Sequence, residues 1–88
     1  MREYREAIYD IHVEIVERYI SMLSNGEVKE ECLRFIEMGK EMEVDEQGRV
    51  IGYIQRMMVE KGLTTMDKER FILQPMFARV YELFGGEK

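Results

Sequence analysis

The first quarter of the chain carries more apolar surface than one helix face of a small protein needs. From about Tyr4 to Leu23, apolar residues follow helical spacing in two neighbouring rows. At roughly 100° per residue, the two rows cover an arc of roughly 200°, about twice the width of an ordinary surface stripe. We expect one row to face the core of the chain and the other to be covered by a second copy. The rows consist of Tyr4, Ile8, Ile11, Ile15, Tyr19 and Met22, and of Tyr9, Val13, Val16, Ile20 and Leu23.

A homodimer interface on this helix is therefore predicted. The single histidine of the chain, His12, falls in the middle of the arc. If it is buried in the interface, the cost of desolvating its charge lowers its pKa, and the dimer weakens as the pH falls through that pKa. The residues assigned to this interface are Ile8, Ile11, His12, Ile15, Tyr19 and Met22.

Length and composition limit the class of protein. The chain has 88 residues, of which 45% are apolar and 35% charged, which is typical of one globular domain. No apolar run approaches the roughly 20 residues that span a bilayer, and "MREYREAIYD" lacks the apolar core of a secretory signal, so we expect a cytoplasmic protein without membrane contact. With Cys32 as its only cysteine, the chain is predicted to have no disulfide, metal site or cofactor.

Two further helices are predicted after the break "SNGE" at residues 24–27. The second runs from about Val28 to Met42, with Gly39 on its apolar face, where a glycine allows another helix to come close. The third begins near Asp45 and ends at Gly62. An alternative for residues 43–54 is a hairpin that turns at "DEQG".

Beyond Gly62 the pattern changes. Leu63 to Met66 and Arg70 to Gln74 are interpreted as two short strands around "DKE", and Pro75 as the start of a last helix. The predicted fold is mainly α with a small β-hairpin, in the order α-α-α-β-β-α. The single domain, residues 1–88, then divides into an N-terminal dimerisation helix (1–24), a helix-turn-helix (28–62), a wing (63–74) and a C-terminal helix (75–84).

A family resemblance rests on residues 28–84. Ile54, Met58, Gly62 and Leu63 stand where a recognition helix leads into a wing, "FILQPMFARVYELF" follows as an apolar strand, a proline step and a helix, and "MGKEM" places a small residue before the turn. The chain thus resembles the winged helix-turn-helix regulators of the multiple-antibiotic-resistance type. The resemblance implies a homodimeric transcriptional regulator that binds double-stranded DNA.

The charge distribution bears on that role. The net charge of -5 divides into -7 for residues 1–48 (6 basic, 13 acidic) and +2 for residues 49–88 (7 basic, 5 acidic). Asp45 and Glu46 would repel phosphate at the start of the recognition helix, so that helix is expected to dock by its middle. The residues predicted to contact DNA are Arg49, Gly52, Gln55 and Arg56 on the helix, and Lys68 and Arg70 on the wing.

The acidic surface keeps a second function open. A winged-helix module that binds another protein, and no DNA, is the alternative to a DNA-binding regulator. An enzyme is not predicted, because no Asp, Ser or Cys stands at a spacing that would make a catalytic triad with His12.

Overall fold

The computed structural model describes residues 3–84, and this part of the chain contains four α-helices and no strand. Residues 1 and 2, at the start of the predicted N-terminal segment, and residues 85–88 lie outside the described range. None of the helices in residues 3–84 is long and apolar enough to cross a membrane. The helices are α1 (Tyr4–Ile20), α2 (Glu27–Met38), α3 (Val44–Glu60) and α4 (Met66–Phe84), with a short 3-10 helix (Gly39–Glu41) between α2 and α3.

The wide apolar arc of α1 is explained by its central position. α1 packs against α2, α3 and α4, and α2 also packs against α3. Three neighbours on one helix cover an arc that a single neighbour would leave half exposed. The core that results contains Ala7, Ile8, Ile11, Ile15, Val16 and Tyr19 from α1, Val28, Cys32 and Phe35 from α2, Ile51, Ile54 and Met58 from α3, and Val80 from α4.

This packing removes the basis for a dimer interface on α1. The structure places Ile8, Ile11, His12, Ile15 and Tyr19 inside the core of one chain, and leaves Met22 half-buried beyond the end of the helix. Side chains enclosed by their own chain are not available to a partner. A dimer was expected because the arc looked about twice as wide as one small core can cover, whereas in the fold three helices pack around α1.

His12 is buried within its own chain, among α2, α3 and α4. Its Nδ1 atom lies 2.9 Å from Oε1 of Gln47, and the Gln47 amide nitrogen donates to the carbonyl oxygen of Met42 at 3.1 Å. The His12 ring also packs edge-on against the rings of Phe35 and Phe77. Burial lowers the pKa of His12, and the hydrogen bond to Gln47 opposes this only in part.

The predicted third helix forms, and its end follows from backbone geometry. α3 begins after Glu43 and continues without interruption, so the alternative hairpin over residues 43–54 is not formed. At its end Gly62 adopts a positive φ of 76°. The N–H of Leu63 donates to the carbonyl of Met58, and that of Gly62 to the carbonyl of Val59, which is the Schellman arrangement.

The prediction of a wing over residues 63–74 is wrong. Residues 66–84 form the single helix α4, with Pro75 inside it. The hydroxyl of Thr65 accepts a hydrogen bond from the N–H of Lys68 at 3.1 Å and caps the helix start. From there, Glu69, Leu73, Met76 and Val80 recur at intervals of three and four and face inward, which is helical periodicity and not the alternation of a strand. The α-α-α-β-β-α order is therefore replaced by four helices.

Position 39 requires a glycine because the Phe35 side chain lies against it, and not because another helix packs there. It begins the 3-10 helix after α2, and a Cβ atom placed there would lie 2.7 Å from Cε1 of the Phe35 ring. The Phe35 side chain is fully buried, so it has little freedom to retreat. Gly48, in contrast, has no atom within 4 Å of the Cβ position.

We predict that Gly39→Ala lowers the free energy of unfolding by about 1–3 kcal/mol, because the new methyl group overpacks the Phe35 site. Gly48→Ala, the matched control, should raise it by about 0.5–1 kcal/mol through helix propensity alone. Urea unfolding followed by circular dichroism measures both. Equal effects of the two substitutions would contradict the close contact between Gly39 and Phe35.

We also predict that stability falls as His12 is protonated. Because the pKa of His12 is lower in the folded chain than its ordinary value of 6.5, the unfolded chain binds the proton more readily. The stabilisation is therefore complete above about pH 6.5 and decreases as the pH falls from there towards the folded pKa. Urea midpoints between about pH 5 and 7.5 provide the measurement. His12→Gln should flatten that part of the profile, and an unchanged slope would contradict the assignment.

Candidate functional site

An open groove separates α3 from α4. Both helices pack on α1, but they make little direct contact with each other. The space between them has a volume of about 640 Å³. Its lining consists of Gln55 from α3 and of Met66, Glu69, Arg70, Leu73, Gln74, Phe77, Ala78 and Tyr81 from α4. We call it the α3–α4 groove.

The α4 side of the groove is mainly apolar and partly open to solvent. Leu73, Phe77 and Tyr81 follow one another at intervals of four residues and form one row along the helix. Leu73 and Phe77 are half-buried, while Tyr81 and Met66 at the two ends of the groove are exposed. Apolar side chains that a monomer leaves uncovered in a concave surface are typical of a binding site.

The α3 side of the groove presents little side-chain bulk. Gly52 and Gly48 precede Gln55 by three and seven residues, so all three lie on the same side of the helix. No atom comes within 4 Å of the Cβ position of either glycine. These glycines do not line the groove, but they leave the α3 backbone accessible on the side of the helix that carries Gln55, whereas the space at Gly39 is occupied by the Phe35 ring.

The floor of the groove is a buried carboxylate, Glu69. Its oxygens accept a paired hydrogen bond from the Arg18 guanidinium, at 3.0 and 2.6 Å, and one bond each from the hydroxyls of Tyr19 and Thr64, both at 2.5 Å. The amide nitrogen of Gln55 donates in turn to the Tyr19 hydroxyl at 3.3 Å. We call these five residues the Glu69 cluster. It links α1, α3, α4 and the segment that precedes α4.

The chemistry of the Glu69 cluster is that of a structural ion pair. Burial disfavours the charge of Glu69, but the hydrogen bonds from Arg18, Thr64 and Tyr19 outweigh it and lower the pKa to about 2. Burial and the bond to Glu69 raise the pKa of Tyr19 well above its ordinary value. Neither group changes protonation near neutral pH, and no buried side-chain polar atom in residues 3–84 lacks a hydrogen-bond partner. The cluster holds helices together and is not arranged to transfer protons.

The residues on α3 that were predicted to contact DNA lie among acidic side chains. Arg49, Gly52 and Arg56 are exposed on α3, but Asp45, Glu46 and Glu60 are exposed on the same helix. Gln55 is the exception, because it lies in the groove and bonds to Tyr19.

The two residues assigned to the wing lie instead on the first turns of α4. Lys68 is exposed, and Arg70 forms an exposed ion pair with Asp67 at 3.2 Å. Since there is no hairpin, neither can act as a wing contact. Arg70 also borders the α3–α4 groove, so of the six predicted residues the structure brings Gln55 and Arg70 together at one site.

A second cavity of about 740 Å³ lies where the end of α1, the start of α2 and the end of α3 meet. Its charged lining residues are of both signs: Glu27 and Glu60, and Lys29 and Lys61. It lacks the aromatic row of the α3–α4 groove. In the described residues, no group of three or more His, Cys, Asp and Glu side chains is placed to hold a metal ion.

Sequence reasoning missed the Glu69 cluster, although a signal for it exists. Glu69 stands in line with Leu73, Met76 and Val80 on the inward side of α4. A carboxylate within an apolar helical row predicts a buried cationic or hydroxyl partner. The interpretation of residues 63–74 as a hairpin concealed this row.

Comparison with known proteins reveals no family model, no curated protein and no solved structure that matches the chain. The interpretation of the groove therefore depends on its own geometry.

We predict that Glu69 makes stability sensitive to acid. The folded pKa of about 2 lies below the ordinary 4.5, so the stabilisation is present above about pH 4.5 and is lost as the pH falls towards 2. A pKa shift of this size corresponds to a contribution on the order of 3 kcal/mol to the free energy of unfolding. Glu69→Gln should lose about that much at pH 7 and show a flatter profile below pH 4.5.

The matched control for this measurement is Asp67→Asn, which removes an exposed carboxylate from the same helix. It should change the free energy of unfolding by less than about 0.5 kcal/mol. Urea unfolding between about pH 3 and 7 compares the three proteins. If Glu69→Gln matches the control, Glu69 is not a buried ion.

Proposed function

We propose that this chain is a protein-interaction module that binds an amphipathic α-helix of another protein chain in the α3–α4 groove. The observation that carries the proposal is the partly exposed apolar row of Leu73, Phe77 and Tyr81 in a groove between two helices that barely touch. An amphipathic helix laid into an apolar groove is a recurrent mode of protein recognition.

The shape of the groove favours a helix as the bound element. Side chains four residues apart form a ridge that interdigitates with the ridges of a second helix. On α3, the open space at Gly48 and Gly52, on the side of the helix that carries Gln55, allows the backbone of a bound helix to approach closely. A glycine exposed inside a helix costs about 1 kcal/mol relative to alanine, and a close contact at these positions would offset that cost.

The floor of the groove favours a preorganised site. The Glu69 cluster fixes the first turns of α4 against α1 before any partner binds. Little conformational entropy then has to be lost in the module itself. Because Leu73 and Phe77 are already half-buried, a partner gains only a moderate binding free energy from burying the rest of their apolar surface. We therefore expect dissociation constants in the micromolar range.

Binding of double-stranded DNA is less well supported. Arg49 and Arg56 are exposed on α3, but the neighbouring Asp45 and Glu60 cancel their charge. A surface with no excess of positive charge gains little from the release of counterions by a phosphate backbone. The wing contacts that the resemblance implied are also missing from α4.

To test the proposal, a displayed library of amphipathic helical peptides is selected on the dilute wild-type protein. Enriched peptides should bind wild type, and Ala78→Arg should weaken them by about 10-fold or more, because a charged side chain then enters the apolar groove. Glu37→Arg, exposed on α2, is the control and should leave binding unchanged. Amide chemical shifts should change at Gln55, Leu73 and Ala78.

Two results would count against the interaction module. Either no peptide is enriched, or the enriched peptides ignore Ala78→Arg. A parallel titration with fluorescent duplex DNA at about 50 and 200 mM salt tests the other role. Binding that weakens at the higher salt and in Arg56→Ala would favour DNA.

A further inference from the structure

The solvent side of α4 carries a regular row that the rest of residues 3–84 leaves largely exposed. Its members recur at alternating intervals of four and three residues, and every one of them is exposed. Phe71 is 82% exposed and Tyr81 53%. We call this row the outer face of α4; it consists of Asp67, Phe71, Gln74, Ala78 and Tyr81.

The spacing of the outer face is that of a seam between two helices. Residues that alternate at intervals of three and four keep one line along a helix and pack against a second helix that runs nearly along it. The inward row of α4, with Glu69, Leu73 and Val80, already packs on α1. α4 therefore has two packing faces, and the fold of one chain satisfies one of them.

We propose that the outer face of α4 is covered by α4 of a second copy of this chain, which runs antiparallel to it about a two-fold axis near Met76. This inference rests on the proposed function, because the outer face shares Gln74, Ala78 and Tyr81 with the α3–α4 groove. It specifies a partner helix that lies along the edge of the groove formed by these three residues. A two-fold axis uses the same surface on both subunits and leaves none of it exposed for further association.

The row matches itself when one copy is reversed. With the axis near Met76, Phe71 lies opposite Tyr81 of the partner subunit, and Gln74 lies opposite Ala78 of the partner subunit. Each contact occurs twice. The aromatic pairs close the two ends of the seam, and the small side chain of Ala78 allows the helices to approach at the centre. Gln74 is polar, and a polar residue in such a seam fixes the register at some cost in stability.

The charges beside the outer face select the antiparallel direction. Lys68 and Arg70 lie on the first turns of α4, and Glu82 lies on its last turn. In the antiparallel arrangement, Lys68 comes near Glu82 of the partner subunit, because the same edges of the seam meet when one helix is reversed, and the two helix dipoles oppose each other. Arg70 lies on the other edge of the seam. In a parallel arrangement, Lys68 and Glu82 would be about 21 Å apart along the seam.

The experiment measures the oligomeric state by sedimentation equilibrium. Wild type should be a dimer at about 100 µM and dissociate on dilution into the low micromolar range. Ala78→Glu should weaken dimerisation by about 100-fold, because it buries a charge at the centre of the seam. Ala78 is exposed, so its replacement leaves the fold of the monomer intact. Arg79→Glu is the control, because it also introduces a glutamate into α4, at an exposed position off the outer face.

Charge reversal tests the direction of the helices. Lys68→Glu and Glu82→Lys should each weaken dimerisation by about 10-fold, and the double variant should recover most of the loss. Rescue is a result that a merely structural effect of either substitution would not produce. A double variant as weak as the sum of the single ones would overturn the antiparallel register.

The failure of this inference is distinguishable from that of the proposed function. A wild-type chain that stays monomeric at about 100 µM, or a dimer that ignores Ala78→Glu, overturns self-docking. If selected helical peptides still bind the groove of that monomer, the interaction module stands with a different partner.

Discussion

The bonds to the Glu69 carboxylate determine where α4 lies, and the rest of the surface depends on that placement. A buried carboxylate is stable only when its charge is paired and its lone pairs are bonded. Here the partners come from the end of α1, as Arg18 and Tyr19, and from Thr64 just before α4. They hold the first turns of α4 against α1 and not against α3. The groove between α3 and α4 is the geometrical consequence, and the amide of Gln55 is the point where α3 joins this polar floor.

The same placement explains why the candidate site is both apolar and well ordered. A groove between two loosely connected helices would ordinarily close when they move together, because exposed apolar side chains attract each other in water. A four-fold bonded carboxylate opposes such closure, since moving α4 towards α3 would break bonds that hold an ion in a buried position. Leu73 and Phe77 therefore stay accessible. A binding surface of this kind is maintained by polar interactions beneath it.

The sequence predicted α1, α3 and the end of α3 because these depend on local signals: helical spacing, and a glycine at the position that requires a positive φ. The C-terminal half of α4 was predicted as the helix over residues 75–84, but residues 66–74 were missed because two local signals pointed elsewhere. Proline is common in the first turn of a helix, so Pro75 indicated a new helix at that point. The residues "FIL" before it have a high strand propensity, so the local sequence favoured a hairpin. Tertiary contacts through Glu69 decide in favour of one continuous helix. The role of Gln55 was likewise unpredictable, since its bond to Tyr19 joins residues 36 apart in the chain.

The widths of the apolar arcs of α1 and α4 show what periodicity measures. The arc of α1 is wide because α1 has three neighbours within its own chain, and a partner is not needed to cover it. On α4 the inward row and the outer face are separate, and within residues 3–84 the inward row packs into the core while the outer face stays largely exposed. Periodicity thus reports how much apolar surface a helix must bury, whereas topology decides whether the same chain can bury it. A helix at the centre of a small bundle satisfies its full arc internally. A helix at the edge of the bundle, such as α4, has its second face turned towards solvent. The side chain of Phe71, which is 82% exposed, is apolar surface on that face that the fold does not bury.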